Sequence, residues 1–154
     1  MDQASDKAII VDHLAKNFEV TEKKQGLLGS LSSLVSPQKK IVRALKNISF
    51  NLMEGELVGF IGPNGAGKTT TLKILSGLLY PTSGFVQVLN FDPWERKAEF
   101  LKRIALVMGQ KNQLWWDLPA VETFLLNKEI YEIEDHQYKS TLNELVELLE
   151  VQDM

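Results

Sequence analysis

Hydrophobic and polar positions along the chain divide it into strand-like and helix-like stretches. Short β-branched runs at 8–11 and 18–20 predict a strand or a pair of strands before residue 20. Residues 48–52 alternate apolar and polar side chains, as a half-buried strand does. Residues 57–61 are apolar with little alternation, which predicts a strand covered on both faces in a parallel sheet. The remaining predicted strands are 85–89 and 104–108.

Helix-like stretches lie between and after these strands. Residues 70–79 carry an apolar stripe of Leu72, Leu75, Leu78 and Leu79, and the helix is stopped by Gly77 near its end and by the turn at 80–84. Asp92-Pro93 opens a helical segment through about residue 103, and Pro119 suits a first helical position before 121–131. A last helix is predicted from about residue 135, with its buried face formed by Leu142, Leu145, Val146, Leu148 and Leu149. The alternation predicts an α/β fold with a partly parallel sheet and antiparallel strands near the N-terminus.

Residues 21–43 differ from the rest, because lysines, glycines, serines and a Pro-Gln pair predict a loop insertion, although the β pattern resumes from Ile41. The leucines of 27–35 leave two interpretations open. We favour a surface insertion whose leucines pack locally, since such stretches usually pack rather than bind. The alternative is a short amphipathic helix that contacts a membrane surface or a partner, with lysines at both ends facing anionic headgroups.

Composition narrows the class of protein. The chain has 154 residues, 44% hydrophobic and 24% charged, as expected of one globular domain, or part of one, with a core. The net charge is −3 without a basic block, which disfavours nucleic-acid binding. Without cysteine there is no disulfide or thiol chemistry, and the distant His13 and His136 disfavour a zinc site. No apolar run approaches 18 residues and the start is not basic, so we expect neither a membrane span nor export.

Residues 62–70 read G-P-N-G-A-G-K-T-T and fit G-x-x-x-x-G-K-[ST], the phosphate-binding P-loop. The strand-like run before it and the helix-like run after it are the context that the motif requires. Glycines let the backbone curl so that N–H groups point inward, and the following helix adds the positive end of its dipole. The alternative, an ordinary Gly-rich turn, has a prior of roughly a few per cent in this context. The predicted ligand is a nucleoside triphosphate.

Each polar residue of the motif has a predicted role. Lys68 reaches the β and γ phosphates and is a predicted catalytic residue, Thr69 binds Mg²⁺, and Thr70 bonds a phosphate nearer the sugar. The predicted nucleotide-binding residues of the loop are Gly62, Asn64, Gly65, Ala66, Gly67, Lys68, Thr69 and Thr70.

The loop, with L-S-G-L at 75–78, P-T-S-G at 81–84 and Gly55-Glu56 upstream, resembles the nucleotide-binding domain of ABC transporters over nearly the whole chain. The resemblance implies a P-loop NTPase core with an N-terminal antiparallel β subdomain. It implies one domain over 1–154, with an insertion at 21–43 and the start of a helical subdomain at 119–154. Residues 113–119 resemble the ABC-2 type exporter ATPases.

The resemblance also implies roles for residues outside the P-loop. Phe18 matches the aromatic that stacks on adenine, although from the residues alone it is equally a core side chain. Gln110 matches the glutamine that contacts Mg²⁺ or the attacking water and links the site to the membrane subunit, with Gln113 as a competing candidate. Trp115 and Trp116 either pack under their loop or contact a partner, and a loop after a strand favours the partner.

By this resemblance the protein is an ATPase subunit that binds ATP and Mg²⁺ and couples hydrolysis to transport. Its implied partners are a transmembrane permease, contacted through 113–119, and a second ATP-binding subunit, with no nucleic acid. Its implied place is the cytoplasmic face of the cell membrane. The chain lacks the family's L-S-G-G-Q signature, Walker B aspartate, catalytic glutamate and switch histidine, so we expect it to stop before them and to hydrolyse ATP poorly alone. The alternatives are a non-transport ABC ATPase acting on DNA or ribosomes, an inactive nucleotide-binding fragment, and a P-loop kinase or GTPase.

Overall fold

The computed structural model describes residues 7–22, 38–109, 114–115 and 117–152. The chain divides into two compact units, Met1–Phe100 and Leu101–Met154, and each is described by itself. In the described residues, no helix is long and apolar enough to cross a membrane.

An antiparallel sheet forms the frame of the first unit. Its strands are β1 (Lys7–Glu22), β2 (Gln38–Met53) and β3 (Ser83–Val88), in the order β2-β1-β3. β3 pairs with β1 only between the partners Ile9↔Val88 and Ala15↔Ser83. Beyond Ala15, β1 and β2 continue as a two-stranded ribbon of residues 16–22 and 38–45, called the distal ribbon below. The strands predicted before residue 20, at 48–52 and at 85–89, are confirmed.

The loop predicted over 21–43 is shorter than expected, because the distal ribbon includes both of its ends. β1 continues to Glu22, and β2 begins at Gln38. The β-branched Ile41 and Val42 pair with Glu19 and Phe18, so they gain ladder hydrogen bonds that a loop would not give them. Residues 27–35, for which two interpretations were left open, lie outside the described residues.

The first helix packs on this sheet. α1 spans Lys68–Leu75 and buries Thr71, Ile74 and Leu75, which are spaced i, i+3, i+4. Gly77 ends it at φ +70°, where its N–H donates to the carbonyl of Ile74 and the next N–H donates to that of Lys73. The helix therefore ends before Leu78 and Leu79, which the prediction included in it. Of the predicted stripe, Leu75 is buried as expected, but Leu72 and Leu78 are exposed, and Thr71 and Ile74 complete the buried face.

The remaining core of this unit lies between the sheet and α1. The buried side chains include Val11, Leu14, Leu45, Val86, Val88 and Phe100. The helix predicted from Asp92 to about residue 103 is interrupted. A 3-10 turn, Pro93–Glu95, is capped by the carboxylate of Asp92, then Arg96 adopts φ +49° before the short α2, Ala98–Leu101.

Residues 57–61 do not form a strand, contrary to the prediction. Leu57 and Ile61 are almost fully exposed, at 103% and 98%. A strand exists only where a neighbour accepts and donates its ladder hydrogen bonds, and none of the described strands pairs with this run. Residues 104–108, also predicted as a strand, have no strand structure for the same reason.

The second unit contains two longer helices. α3 spans Ala120–Ile130, with Pro119 in the capping position, and α4 spans Asp135–Leu148, so both predicted helices are confirmed. Lys128 ties α3 to α4 by donating to Asp135 at 2.8 Å. The predicted buried face of α4 is wrong, because none of its residues is buried and Leu148 and Leu149 are 74% and 64% exposed. Four residues of the predicted face line an open groove of about 530 Å³ together with Phe124 and Ile133: Leu142, Leu145, Val146 and Leu149.

Candidate nucleotide-binding site

The P-loop, residues 62–70, curls in front of the first turn of α1. The helix begins at Lys68, and Gly67 is its capping residue. The N–H groups of the first turn have no partner inside the helix, so they remain available to a ligand at this end. The positive end of the helix dipole lies at the same point. The backbone here is therefore suited to bind an anion.

Gly67 holds the loop close to β2. Its φ is +92°, in the left-handed region that only glycine adopts at little cost. A Cβ built on Gly67 would lie 2.8 Å from the carbonyl oxygen of Ala44 and would overlap the buried side chain of Leu45. The loop thus rests directly on the backbone of the distal ribbon, with no room for a side chain between them.

Lys68 is oriented by the loop itself. Its ammonium group donates to the carbonyl oxygens of Gly62 at 2.6 Å and Pro63 at 2.8 Å. Ala66 closes the loop by donating its N–H to the same Pro63 carbonyl at 3.2 Å. These contacts hold the side chain of Lys68 along the loop, so its ammonium group lies close to the open N–H groups.

A cavity of about 440 Å³ joins the loop to the distal ribbon. The loop contributes Asn64, Gly65, Ala66, Gly67, Lys68, Thr69 and Thr70, and the ribbon contributes Phe18, Val42, Arg43 and Ala44. Its volume lies within the range of small-molecule sites. The structure therefore brings together every predicted loop residue except Gly62, whose carbonyl binds Lys68 instead.

Phe18 is at the wall of this cavity and is 37% exposed, so the alternative that it is a core side chain is wrong. The ammonium group of Lys16 lies 5.0 Å from the centre of its ring. A cation over an aromatic face is attracted by the ring quadrupole. An exposed ring beside a phosphate-binding loop is suited to stacking on a flat heterocycle.

Sequence reasoning missed the contribution of β2. Lys16 pairs with Leu45 and Asn17 pairs with Arg43, so β2 carries one extra residue, Ala44, at this step. Such a bulge changes the alternation of faces between the residues before Ala44 and those after it. Val42 and Arg43, although adjacent, both line the cavity. No local motif marks these residues as part of a nucleotide site.

Thr69 fits the role of a metal ligand. Its exposed hydroxyl lines the cavity and makes no hydrogen bond to another described residue. An unengaged oxygen beside a phosphate site is the donor type that Mg²⁺ prefers. The other predicted ligand, Gln110, lies outside the described residues, as do Gln113 and Trp116. The neighbouring Leu114 and Trp115 are 44% and 57% exposed.

The glycine-rich loop at the start of α1, its lysine and the adjacent sheet define a P-loop nucleotide-binding fold. The family model described as ABC transporter matches residues 45–154. The chain belongs to the ABC transporter family, which confirms the resemblance carried by the loop and the P-T-S-G turn. The fold class is confirmed by the ATP-binding cassette MJ0796 bound to ADP and Pi, at TM-score 0.62 and 27% identity, covering 88% of this chain and 54% of that one.

Two relatives of known name match over most of the chain. The ABC transporter ATP-binding protein NatA of Bacillus subtilis is 34% identical over 108 residues, covering 70% of this chain and 44% of NatA. The bacitracin transport ATP-binding protein BcrA of Bacillus licheniformis is 34% identical over 110 residues, covering 71% of this chain and 35% of BcrA. The aligned part is thus less than half of either relative.

Proposed function

We propose that this chain provides the ATP-binding half-site of an ABC transporter ATPase subunit. The observation that carries the proposal is the cavity that unites the ring of Phe18 with loop residues 64–70 and the open N–H groups of the first turn of α1. A flat apolar surface at one end and an anion-binding backbone at the other match the two ends of a nucleotide. The names of NatA and BcrA, both ATP-binding proteins, support ATP as the nucleotide.

In this proposal the side chains of the loop divide the work on the phosphates. Lys68 exchanges the carbonyls of Gly62 and Pro63 for the β and γ phosphate oxygens, as a charge on a flexible stem can. Thr69, together with Gln110, holds Mg²⁺, which neutralises charge on the phosphates. The N–H groups of the loop are fixed before the substrate arrives, so they stabilise developing negative charge without reorganising. Gln110 orients the water for hydrolysis.

We further propose that the subunit couples ATP hydrolysis to transport through a membrane permease, and that it works as a dimer at the cytoplasmic face of the membrane. The names of the relatives support transport, and the dimeric structure of the MJ0796 cassette supports a dimer. The exposed Leu114 and Trp115, within 113–119, supply an apolar contact for the permease. Family membership makes the P-loop kinase or GTPase alternative wrong. The non-transport alternative predicts association with DNA or ribosomes instead of a permease.

The test of nucleotide binding is calorimetric titration of ATP into the wild type and Lys68→Ala. We expect the variant to lose a charge-assisted contact of about 1.5–3 kcal/mol, or roughly tenfold to a hundredfold in affinity. Lys73→Ala is the matched control, because Lys73 is an exposed lysine of the same helix outside the cavity. Equal affinity in all three proteins would refute the proposal.

Permease coupling is tested by co-purification from membranes with the wild type and Trp115→Ala. We expect less permease to be retained by the variant, with unchanged ATP affinity, because Trp115 does not line the nucleotide cavity. Normal permease retention combined with loss of ATP binding would reverse this assignment.

A further inference from the structure

Arg43 is a second cation in the wall of the nucleotide cavity. It is exposed on β2, and it makes no ion pair or hydrogen bond with another described residue. No carboxylate among the described residues lines the cavity, so its charged lining groups there are Arg43 and Lys68. The nearby Glu19 is already paired with Lys39 at 2.8 Å. The guanidinium is therefore uncommitted and faces a site built for a polyanion.

The position of Arg43 along β2 relates it to the two ends of the cavity. Its neighbour Val42 pairs with Phe18, the aromatic surface. Its other neighbour, Ala44, has its carbonyl against Gly67, where the open end of α1 begins. Arg43 thus lies between the end suited to a base and the end suited to the terminal phosphates.

We infer that Arg43 binds the phosphate nearest the sugar of the bound nucleotide, beside Thr70 in the same cavity. This inference rests on the proposed ATP site and adds to it a residue outside the P-loop. A guanidinium presents a planar fork of donors that matches two oxygens of one phosphate. Arg43 and its neighbour Val42 both line this cavity.

The experiment compares adenosine, AMP, ADP and ATP as ligands of the wild type, Arg43→Ala and Arg43→Lys, by competition calorimetry. We expect Arg43→Ala to weaken the three phosphorylated ligands by a similar factor of about tenfold, the lower end for one hydrogen bond to a charged group. Adenosine affinity should not change. Arg43→Lys should keep part of the affinity, because it keeps the charge and loses the fork. Lys46→Ala, which removes an exposed lysine of β2 outside the cavity, should match the wild type.

The outcomes separate this inference from the proposed function. An equal loss for adenosine would mean that Arg43 contacts the base or sugar, and unchanged affinity for all four ligands would mean that it contacts none; either result overturns the inference. A loss confined to ATP would assign Arg43 to the γ phosphate and would also overturn it. If instead the wild type binds no nucleotide in a Lys68-dependent manner, it is the proposed function that fails. Thermal melting curves check that the variants remain folded, which we expect because Arg43 is exposed.

Discussion

Replacing Gly67 by alanine tests how the P-loop is attached to the sheet. Two costs follow from the structure. At φ +92° an alanine bears about 1–2 kcal/mol of left-handed strain. Its Cβ would also overlap Leu45 and lie 2.8 Å from the carbonyl oxygen of Ala44, and forcing an extra carbon into a packed contact costs about 1–3 kcal/mol. We expect Gly67→Ala to lower the free energy of unfolding by about 2–5 kcal/mol.

Two other glycines separate these costs. Gly65 has φ +84° and nothing within 4 Å of a built Cβ, so Gly65→Ala should show only the strain of about 1–2 kcal/mol. Gly59 is open as well and has no left-handed φ, so Gly59→Ala should be neutral or slightly stabilising, by up to about 1 kcal/mol. The measurement is urea unfolding of the four proteins, with ATP titration in parallel.

A double variant tests the overlap between Leu45 and a side chain at position 67. The double variant Leu45→Ala with Gly67→Ala should lose less stability than the sum of the two single changes, because the smaller side chain removes the overlap that the new Cβ creates. The Ala44 carbonyl still opposes the Cβ, so the recovery is partial. Equal unfolding free energies for Gly65→Ala and Gly67→Ala would refute the close seating of the loop on β2.

Three shorter predictions concern other parts of the described chain. The hydrogen bond from Lys128 lowers the pKa of Asp135 below its ordinary value of 3.8, so this carboxylate stabilises the fold above that pH and the contribution is lost as the pH falls through the lowered pKa. Wild type should therefore lose more stability than Asp135→Asn between about pH 5 and about pH 2, measured by urea unfolding, and equal losses would exclude the bond. The buried hydroxyl of Tyr138 has no partner among the described residues, so Tyr138→Phe should be neutral or stabilising in thermal unfolding; a loss above about 1 kcal/mol would reveal a partner. Phe18→Ala should weaken ATP by about 1 kcal/mol, roughly fivefold, the lower end for stacking on an exposed ring, while inorganic tripolyphosphate binds as before. Weakened tripolyphosphate binding would show instead that Phe18 supports the loop.

Local sequence patterns predicted those elements that are specified by residues close to one another in the sequence. The P-loop, the helix that follows it and the helix after Pro119 each depend on residues within a few positions of one another. Residues 57–61 show where this kind of inference stops. Their apolar run has the composition of a buried strand, but a strand requires a neighbour, and the composition of a run contains no information about its neighbour.

The stripe of α1 failed for a different reason. The prediction selected leucines, whereas the buried face is set by the residue at which the helix begins. Because Lys68 begins the helix, Thr71 and Ile74 face the sheet and Leu72 faces outward. Thr71 is tolerated in the core since its hydroxyl donates to the carbonyl of Gly67 at 3.1 Å. Because Thr71 is polar, a search for regularly spaced apolar residues could not identify it as part of the buried face.

The four residues 42–45 of β2 connect the two ends of the proposed nucleotide site. Val42 and Arg43 form the wall beside Phe18, and Ala44 and Leu45 seat Gly67. Because one short backbone segment carries both contacts, the distance between the aromatic surface and the phosphate loop is fixed by the bulge at Ala44 and not by the far end of the ribbon. A nucleotide that contacts both ends therefore stabilises the pairing register of β1 against β2. Slippage of the ribbon by one residue would turn Phe18 away from the cavity while the P-loop kept its sequence and its shape. The base-binding half of the site is thus encoded by strand pairing, and only the phosphate-binding half is encoded by a motif.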